Sequence, residues 1–207
     1  MTEDQINSCY KEAEKLYEAG DLVAAVEIFM RLANAGDYRS CFNLGFIYKI
    51  GDGVVKNTIT SEVFYFKGIR LLTSLSAEGS SSAMLVFGKI FQYGDNINKD
   101  HSKALSLINK SAALGNSDAM FHLACIYLNG WCGQKHSKEE YRDWLNEAVR
   151  ADHPEALFTE GLRLISMHSK SEDGLSLIKR AAQHGFWPAV DYLNGWNLHL
   201  RYYANET

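Results

Sequence analysis

Five short segments of this 207-residue chain can be laid over one another, and that internal repetition constrains the fold more than any other property. They are Ala35-Gly36-Asp37-Tyr38-Arg39-Ser40, Glu78-Gly79-Ser80-Ser81-Ser82-Ala83, Leu114-Gly115-Asn116-Ser117-Asp118-Ala119, Ala151-Asp152-His153-Pro154-Glu155-Ala156 and His184-Gly185-Phe186-Trp187-Pro188-Ala189. Anchoring them on Gly36, Gly79, Gly115, Asp152 and Gly185 gives intervals of 43, 36, 37 and 33 residues. Further columns then align. Four residues after the anchor stand Ser40, Ala83, Ala119, Ala156 and Ala189; nine after stand Gly45, Gly88, Ala124, Gly161 and Asn194. Tyr48, Phe91, Tyr127 and Leu164 follow at plus twelve, with Asn197 breaking the column, and Ala33, Ser76, Ala112, Val149 and Ala182 precede each anchor by three.

Each column has a physical reading. Small residues at two levels of one helix let a neighbouring backbone approach, and the bulky residue beyond them fills the space between layers. Glycine at the anchor suits the left-handed residue that ends a helix, so Asp152 predicts a less comfortable turn. Every unit therefore reads as two antiparallel helices. First helices are predicted over 38–50, 81–93, 117–129, 154–168 and 187–202, and second helices over 60–78, 101–114, 138–151 and 172–184. Ser137-Lys138-Glu139-Glu140 forms a capping box, while Asp100 and Ser171 are caps for their own helices. Gly51-Asp52-Gly53 and Gly94-Asp95-Asn96 supply turns inside two units.

The 43-residue interval carries seven extra residues between Lys56 and Gly79, two helical turns, which lengthen one helix without rotating its buried face. The helix near 60–78 should overhang its neighbours as a candidate contact surface. Ahead of the first anchor, Tyr10, Ala13, Leu16 and Tyr17, then Ala25, Val26, Phe29 and Leu32, recur at helical spacing, with Gly20-Asp21 between them. The expected fold is all-α: a right-handed α/α superhelix of antiparallel pairs with about eleven helices. It is read as one solenoid domain over 1–207, with a divergent pair at 1–35, four units over 36–186 and a capping helix at 187–207.

At this point the residues resemble a known family. Gly36-x3-Ser40-x3-Leu44-Gly45-x2-Tyr48-x2-Gly51-x-Gly53-Val54 is similar to the Sel-one-like repeat, a relative of the tetratricopeptide repeat. Gly115-x3-Ala119-x3-Leu123-Ala124-x2-Tyr127-x2-Gly130, preceded by Lys110-Ser111-Ala112-Ala113-Leu114, matches again. The resemblance covers 33 to about 195, and the N-terminal pair looks more like a plain tetratricopeptide unit. The fourth unit departs from it, because Leu164-Ile165-Ser166-Met167-His168-Ser169 has no Gly-x-Gly turn. The last unit carries Asn194 in place of glycine. The resemblance implies an adaptor or scaffold and does not say what is bound.

Composition narrows the classes. A net charge of −4 and a pI near 6.0 argue against nucleic acid as a partner. No run of 18 apolar residues predicts membrane insertion, and the acidic start Met1-Thr2-Glu3-Asp4-Gln5 is no signal peptide, so the expected location is cytoplasmic. Cys9, Cys41, Cys125 and Cys132 then read as reduced thiols. His101, His122, His136, His153, His168, His184 and His199 fall in scattered columns, so neither a metal nor another cofactor is expected. Gly-x-Ser-x-Gly, HExxH and phosphate-loop signatures are all missing, so the chain is not read as an enzyme; a hydrolase ranks last among its functions.

Under tetratricopeptide geometry, positions three, six, ten and thirteen after the anchor face a concave groove. These include Arg39, Phe42, Phe46, Lys49, Leu85, Lys89, Gln92, Phe121 and Phe158. Phe42, Leu85, Phe121 and Phe158 form an apolar stripe that is either an open docking groove or core between units. A second interface, or self-association, is expected at the aromatic C-terminal helix through Trp187, Trp196, Tyr202 and Tyr203. The leading function is a module that binds a peptide or partner protein in its groove. An immunity protein that blocks a toxin or effector by occlusion is the alternative.

Overall fold

The computed structural model describes residues 1–94, 97–167 and 172–195. Eleven helices follow one another in it: α1 (Glu3–Glu18), α2 (Leu22–Asn34), α3 (Tyr38–Ile50), α4 (Thr58–Ala77), α5 (Ser81–Tyr93), α6 (His101–Ala113), α7 (Ser117–Asn129), α8 (Lys138–Arg150), α9 (Pro154–Met167), α10 (Glu172–Gln183) and α11 (Trp187–Leu193). A single 3₁₀ turn, Trp131–Gly133, separates α7 from α8. There is no strand among the described residues. The predicted boundaries recur to within two residues. The Ser171 cap and the end of the expected 187–202 helix lie outside the described residues.

The joint from one unit to the next is one device used five times. The anchors Gly36, Gly79, Gly115, Asp152 and Gly185 have φ of +94°, +95°, +85°, +58° and +77°. In each case the next N–H donates back to the carbonyl five residues earlier: Asp37 to Leu32 at 3.0 Å, Ser80 to Leu75 at 2.9 Å, Asn116 to Ser111 at 3.2 Å, His153 to Ala148 at 2.9 Å and Phe186 to Ala181 at 3.1 Å. This is the outer bond of a Schellman turn. The same donor residue then caps the following helix. Asp37 accepts from the Ser40 N–H, Ser80 from Ala83, Asn116 from Ala119 and the His153 ring Nδ1 from Ala156. Phe186 has no acceptor to offer, and α11 begins with Pro188 in its first turn instead. Asp152, the one anchor with a side chain, sets its carboxylate against Arg180, with the His184 ring Nε2 at 3.9 Å.

The turn inside a unit uses a second device. Gly51, Gly94 and Gly130 are left-handed C-caps whose N–H groups donate to Ile47, Ile90 and Ile126. A few residues on, the Asn57, Asp100 and Ser137 N–H groups donate to the carbonyls of the plus-twelve aromatics Tyr48, Phe91 and Tyr127 at 2.9, 3.0 and 3.0 Å. Their side chains cap α4, α6 and α8 through Thr60, Lys103 and Glu140. The Lys103 N–H holds the Asp100 carboxyl below its ordinary range.

The described chain forms two compact units. Unit 1 comprises residues 1–90 and 94–98, and unit 2 comprises 91–93 and the residues from 99 onward. In unit 1, Ala13, Ala25, Phe29, Leu32, Cys41, Leu44 and Ile47 pack α1, α2 and α3 together, and Leu72, Ala83 and Ile90 form a second cluster with Tyr38 and Phe42 at its edge. In unit 2, Ala124, Leu145, Ala148 and Ala156 make one cluster and Leu157, Ile178, Ala181 and Ala189 another. Full burial of a leucine or phenylalanine of this kind contributes roughly 1.5–3 kcal/mol.

The small-residue columns do what their size predicts. Ser40, Ala83, Ala119, Ala156 and Ala189 are all buried. At Gly45 the Tyr65 ring lies where a side chain would be, and the Ser61 hydroxyl donates to the Gly45 carbonyl at 2.6 Å. Gly161 and Gly174 face each other where α9 crosses α10: a Cβ on Gly161 would lie 2.8 Å from the Gly174 oxygen and 2.7 Å from Ile178 Cγ1. The helix of the long interval, α4, has 20 residues, against 13 in α6 and α8 and 12 in α10.

Two alanine substitutions separate the two roles of glycine. Gly79→Ala meets open space, so its cost is the left-handed backbone alone, about 1–2 kcal/mol. Gly161→Ala gains helix propensity but drives a methyl into a backbone carbonyl that cannot rotate away, and should cost more, about 2–3 kcal/mol net. Urea denaturation of both variants measures the order.

Candidate functional site

Unit 1 contains the open feature among the expected groove positions. The first helices α1 and α3 lie side by side and are tied by side-chain bonds rather than by apolar packing alone. Arg39 donates to Asn7 at 2.9 Å and to Asp37 at 2.8 Å, and its guanidinium lies 4.3 Å from the Tyr10 ring centroid. Asn43 donates to the Tyr10 hydroxyl at 3.1 Å. At the far end the Tyr17 hydroxyl donates to Asp52 at 2.6 Å. Between these ties is a shallow cleft of about 170 Å³. Phe29 and Ile47 form its floor, and Asn43, Phe46, Tyr17, Glu14 and Glu18 line its walls. Phe46 is 50% exposed, a large apolar side chain standing open beside two carboxylates.

The cleft is lined by carboxylates, although the groove positions read in the sequence include the cations Arg39, Lys49 and Lys89. Arg39 is engaged by Asp37, Asn7 and Tyr10, and its guanidinium serves the α1–α3 tie. Lys49 is exposed, and Lys89 on α5 is half-buried. Glu14 and Glu18, both exposed, sit at the cleft instead. The sequence did not single them out, because they lie on α1 ahead of the first anchor, where the column count gives no register.

The stripe positions are distributed over both units. Leu85 and Gln92 are buried, 5% and 6% exposed, so neither opens onto a groove. Phe42 is half-buried between the rings of Tyr38 and Tyr65, with its Cζ against Gly68. In unit 2, Phe121 stacks on the His153 ring at 4.5 Å and 16°, and Phe158 packs against Phe186 and Tyr192. Gln92 meets His122 at 2.7 Å. His153, buried at the start of α9, also places Nε2 3.3 Å from Asp118. These rings pack the layers while keeping one edge in solvent. At the C-terminal end Trp187 is 62% exposed, whereas Trp196, Tyr202 and Tyr203 lie outside the described residues.

Burial raises the Cys41 thiol to about 11 and shifts Cys132 in the same direction. Among the described residues no group of three or more His, Cys, Asp or Glu could hold a metal ion, and no helix is long and apolar enough to cross a membrane.

Repeated antiparallel helix pairs define an α-helical repeat protein. The Sel1 repeat model matches residues 39–71, 81–116 and 117–153, about half of the chain. The chain belongs to the Sel1 repeat family, whose members are generally non-enzymatic protein-interaction modules. It is similar to the exopolysaccharide production negative regulator of Rhizobium leguminosarum bv. viciae, 26% identical over 179 residues, which is 83% of this chain and 66% of that one. It also resembles chitin synthase regulatory factor 3 of Schizosaccharomyces pombe, 36% identical over 66 residues, 32% of this chain and 7% of that one. The chain thus spans less than two thirds of either relative's length. Among solved structures, immunity protein Pa5087 from Pseudomonas aeruginosa shares the fold with a TM-score of 0.58 and 20% identity, over 93% of this chain and 71% of that one.

The tyrosines that tie the site predict an alkaline limit. The Asp52 carboxylate pushes the Tyr17 hydroxyl from 10.0 to about 12, and burial does the same for Tyr10. A proton held more tightly in the folded chain contributes stability that is complete below 10 and is lost as pH rises through 12. Tyr17→Phe should make the loss of stability between pH 10 and 12 shallower, as urea melts across that range would show.

Proposed function

We propose that the chain is an adaptor that holds a segment of another protein on the α1–α3 face of unit 1. Phe46 supplies the apolar anchor, and Glu14 and Glu18 select a basic residue beside the apolar side chain that enters the cleft. The observation that carries this reading is the half-exposed Phe46 at the mouth of a cleft with a pre-tied frame. A rigid frame lowers the ordering cost of binding, and an aromatic anchor within a polar rim is the usual composition of a hot spot. The negative rim also agrees with the net charge of −4. Phe42 remains part of the proposed surface through its solvent-facing edge, and Lys49 through its exposure, whereas Phe121 and Phe158 belong to unit 2 and are proposed there as separate, half-buried contacts. The exposed Trp187 supports a second contact site at the C-terminal end.

A second reading, an immunity protein that occludes a toxin or effector, draws on the likeness of fold to Pa5087. Both readings need a stoichiometric partner. The difference is that the inhibitor's partner is toxic when expressed without this chain, and the adaptor's is not.

Affinity capture from the native host tests the site. Phe46→Ala and the double variant Glu14→Lys, Glu18→Lys should each weaken capture of one stoichiometric partner by about tenfold or more, with the helical circular dichroism unchanged. Undiminished capture by both would overturn the assignment. Phe121→Ala is a poorer probe, because removing its ring also unstacks His153.

A further inference from the structure

The sides of α4 towards α3 and α2 are occupied, and the opposite side is apolar. Ser61, Tyr65, Gly68 and Leu72 face α3 and the adjoining core: Ser61 bonds to Gly45, Tyr65 covers Gly45, and Gly68 receives the Phe42 ring. Phe64 also stacks on Tyr48 of α3 at 5.8 Å and 11°, and towards α2 Lys67 donates to Asn34 at 3.2 Å. Diametrically opposite the buried face lie Ile59, Val63 and Phe66, spaced four and three residues apart and 76%, 59% and 64% exposed. Val55, in the turn before the helix, is 88% exposed. The other long second helices show no such stripe. The exposed positions of α8 include Arg142, Asp143, Asn146 and Glu147, and those of α6 include Ser102, Lys103, Ser106 and Lys110.

We infer that α4 is a self-association surface, on which a second copy of this chain lays its own α4 antiparallel across a two-fold axis at Phe66. The charges beside the stripe are self-complementary. With Phe66 on the axis, Val63 of one copy is level with Ile69 of the other, and Ile59 with Thr73. Glu62 then comes level with Arg70 of the other copy, twice. Both are exposed, and neither makes an ion pair among the described residues. An isologous interface requires this reciprocity. The four exposed side chains offer on the order of 400 Å² per copy, about half of the roughly 800 Å² per partner in a standard interface. The dimer is therefore weak and concentration-dependent.

Sedimentation velocity of the full chain over a concentration series tests this, with circular dichroism as the check on folding. The wild type should pass from monomer to dimer by about 500 µM, and Phe66→Asp should stay monomeric throughout. Glu62→Arg and Arg70→Glu should each weaken self-association about tenfold, because each places like charges level across the axis twice. Mixing those two variants in equal amounts should restore a heterodimer, and combining both changes in one chain should restore the homodimer. A wild type that remains monomeric at about 500 µM overturns the proposal. So does a dimer that survives Phe66→Asp, which would place the contact elsewhere, such as the Trp187 end. Failure of the mixture to re-pair would defeat the antiparallel register.

Discussion

The left-handed residue at the end of each second helix is the constraint on which the rest of the structure depends. It turns the chain within two residues, and at four of the five joints the residue that closes the old helix also caps the new one. With so short a joint, the direction of each first helix is set by backbone hydrogen bonds. Apolar packing then has only to fill the space so defined. The three plus-twelve aromatics serve the complementary turn, their carbonyls accepting the N–H that begins the following helix.

Deviations from this scheme are locally compensated. Asp152 accepts a left-handed backbone and sets its carboxylate beside Arg180, whose location on the next second helix supplies the countercharge. His153 replaces the usual Asp, Ser or Asn cap with a ring nitrogen, and its aromatic face is used again by Phe121. Between α9 and α10, which have no Gly-x-Gly turn, Gly161 of the plus-nine column meets Gly174, and the two helices pack backbone to backbone. The same residue type is thus used for conformation at one place and for absence of volume at another.

The surfaces follow from what this frame leaves uncovered. Side-chain ties between α1 and α3 hold an aromatic residue open beside carboxylates, and the lengthened α4 carries apolar residues beyond the reach of its neighbours. A scaffold whose core is satisfied by nearest-neighbour helices can vary such outward positions with little consequence for folding.

Helix number, boundaries, joints and the lengthened α4 were legible in the sequence, because small residues, left-handed glycines and capping residues act within a few positions of one another. Anchor-relative counting picked Phe46, Leu85 and Gln92 alike, yet Phe46 is half-exposed and the other two are buried. Helical periodicity specifies the direction in which a residue points along its own helix, whereas burial depends on the size and tilt of the neighbour it meets. The charge of the candidate site belonged to tertiary structure for the same reason. Arg39 looks like a free cation in the sequence and is committed to Asp37, Asn7 and Tyr10 in the fold, while Glu14 and Glu18 reach the cleft only because α1 packs beside α3. Local hydrogen-bonding chemistry, written in consecutive residues, determined the repeat; contacts between residues some thirty positions apart decided which surface it presents.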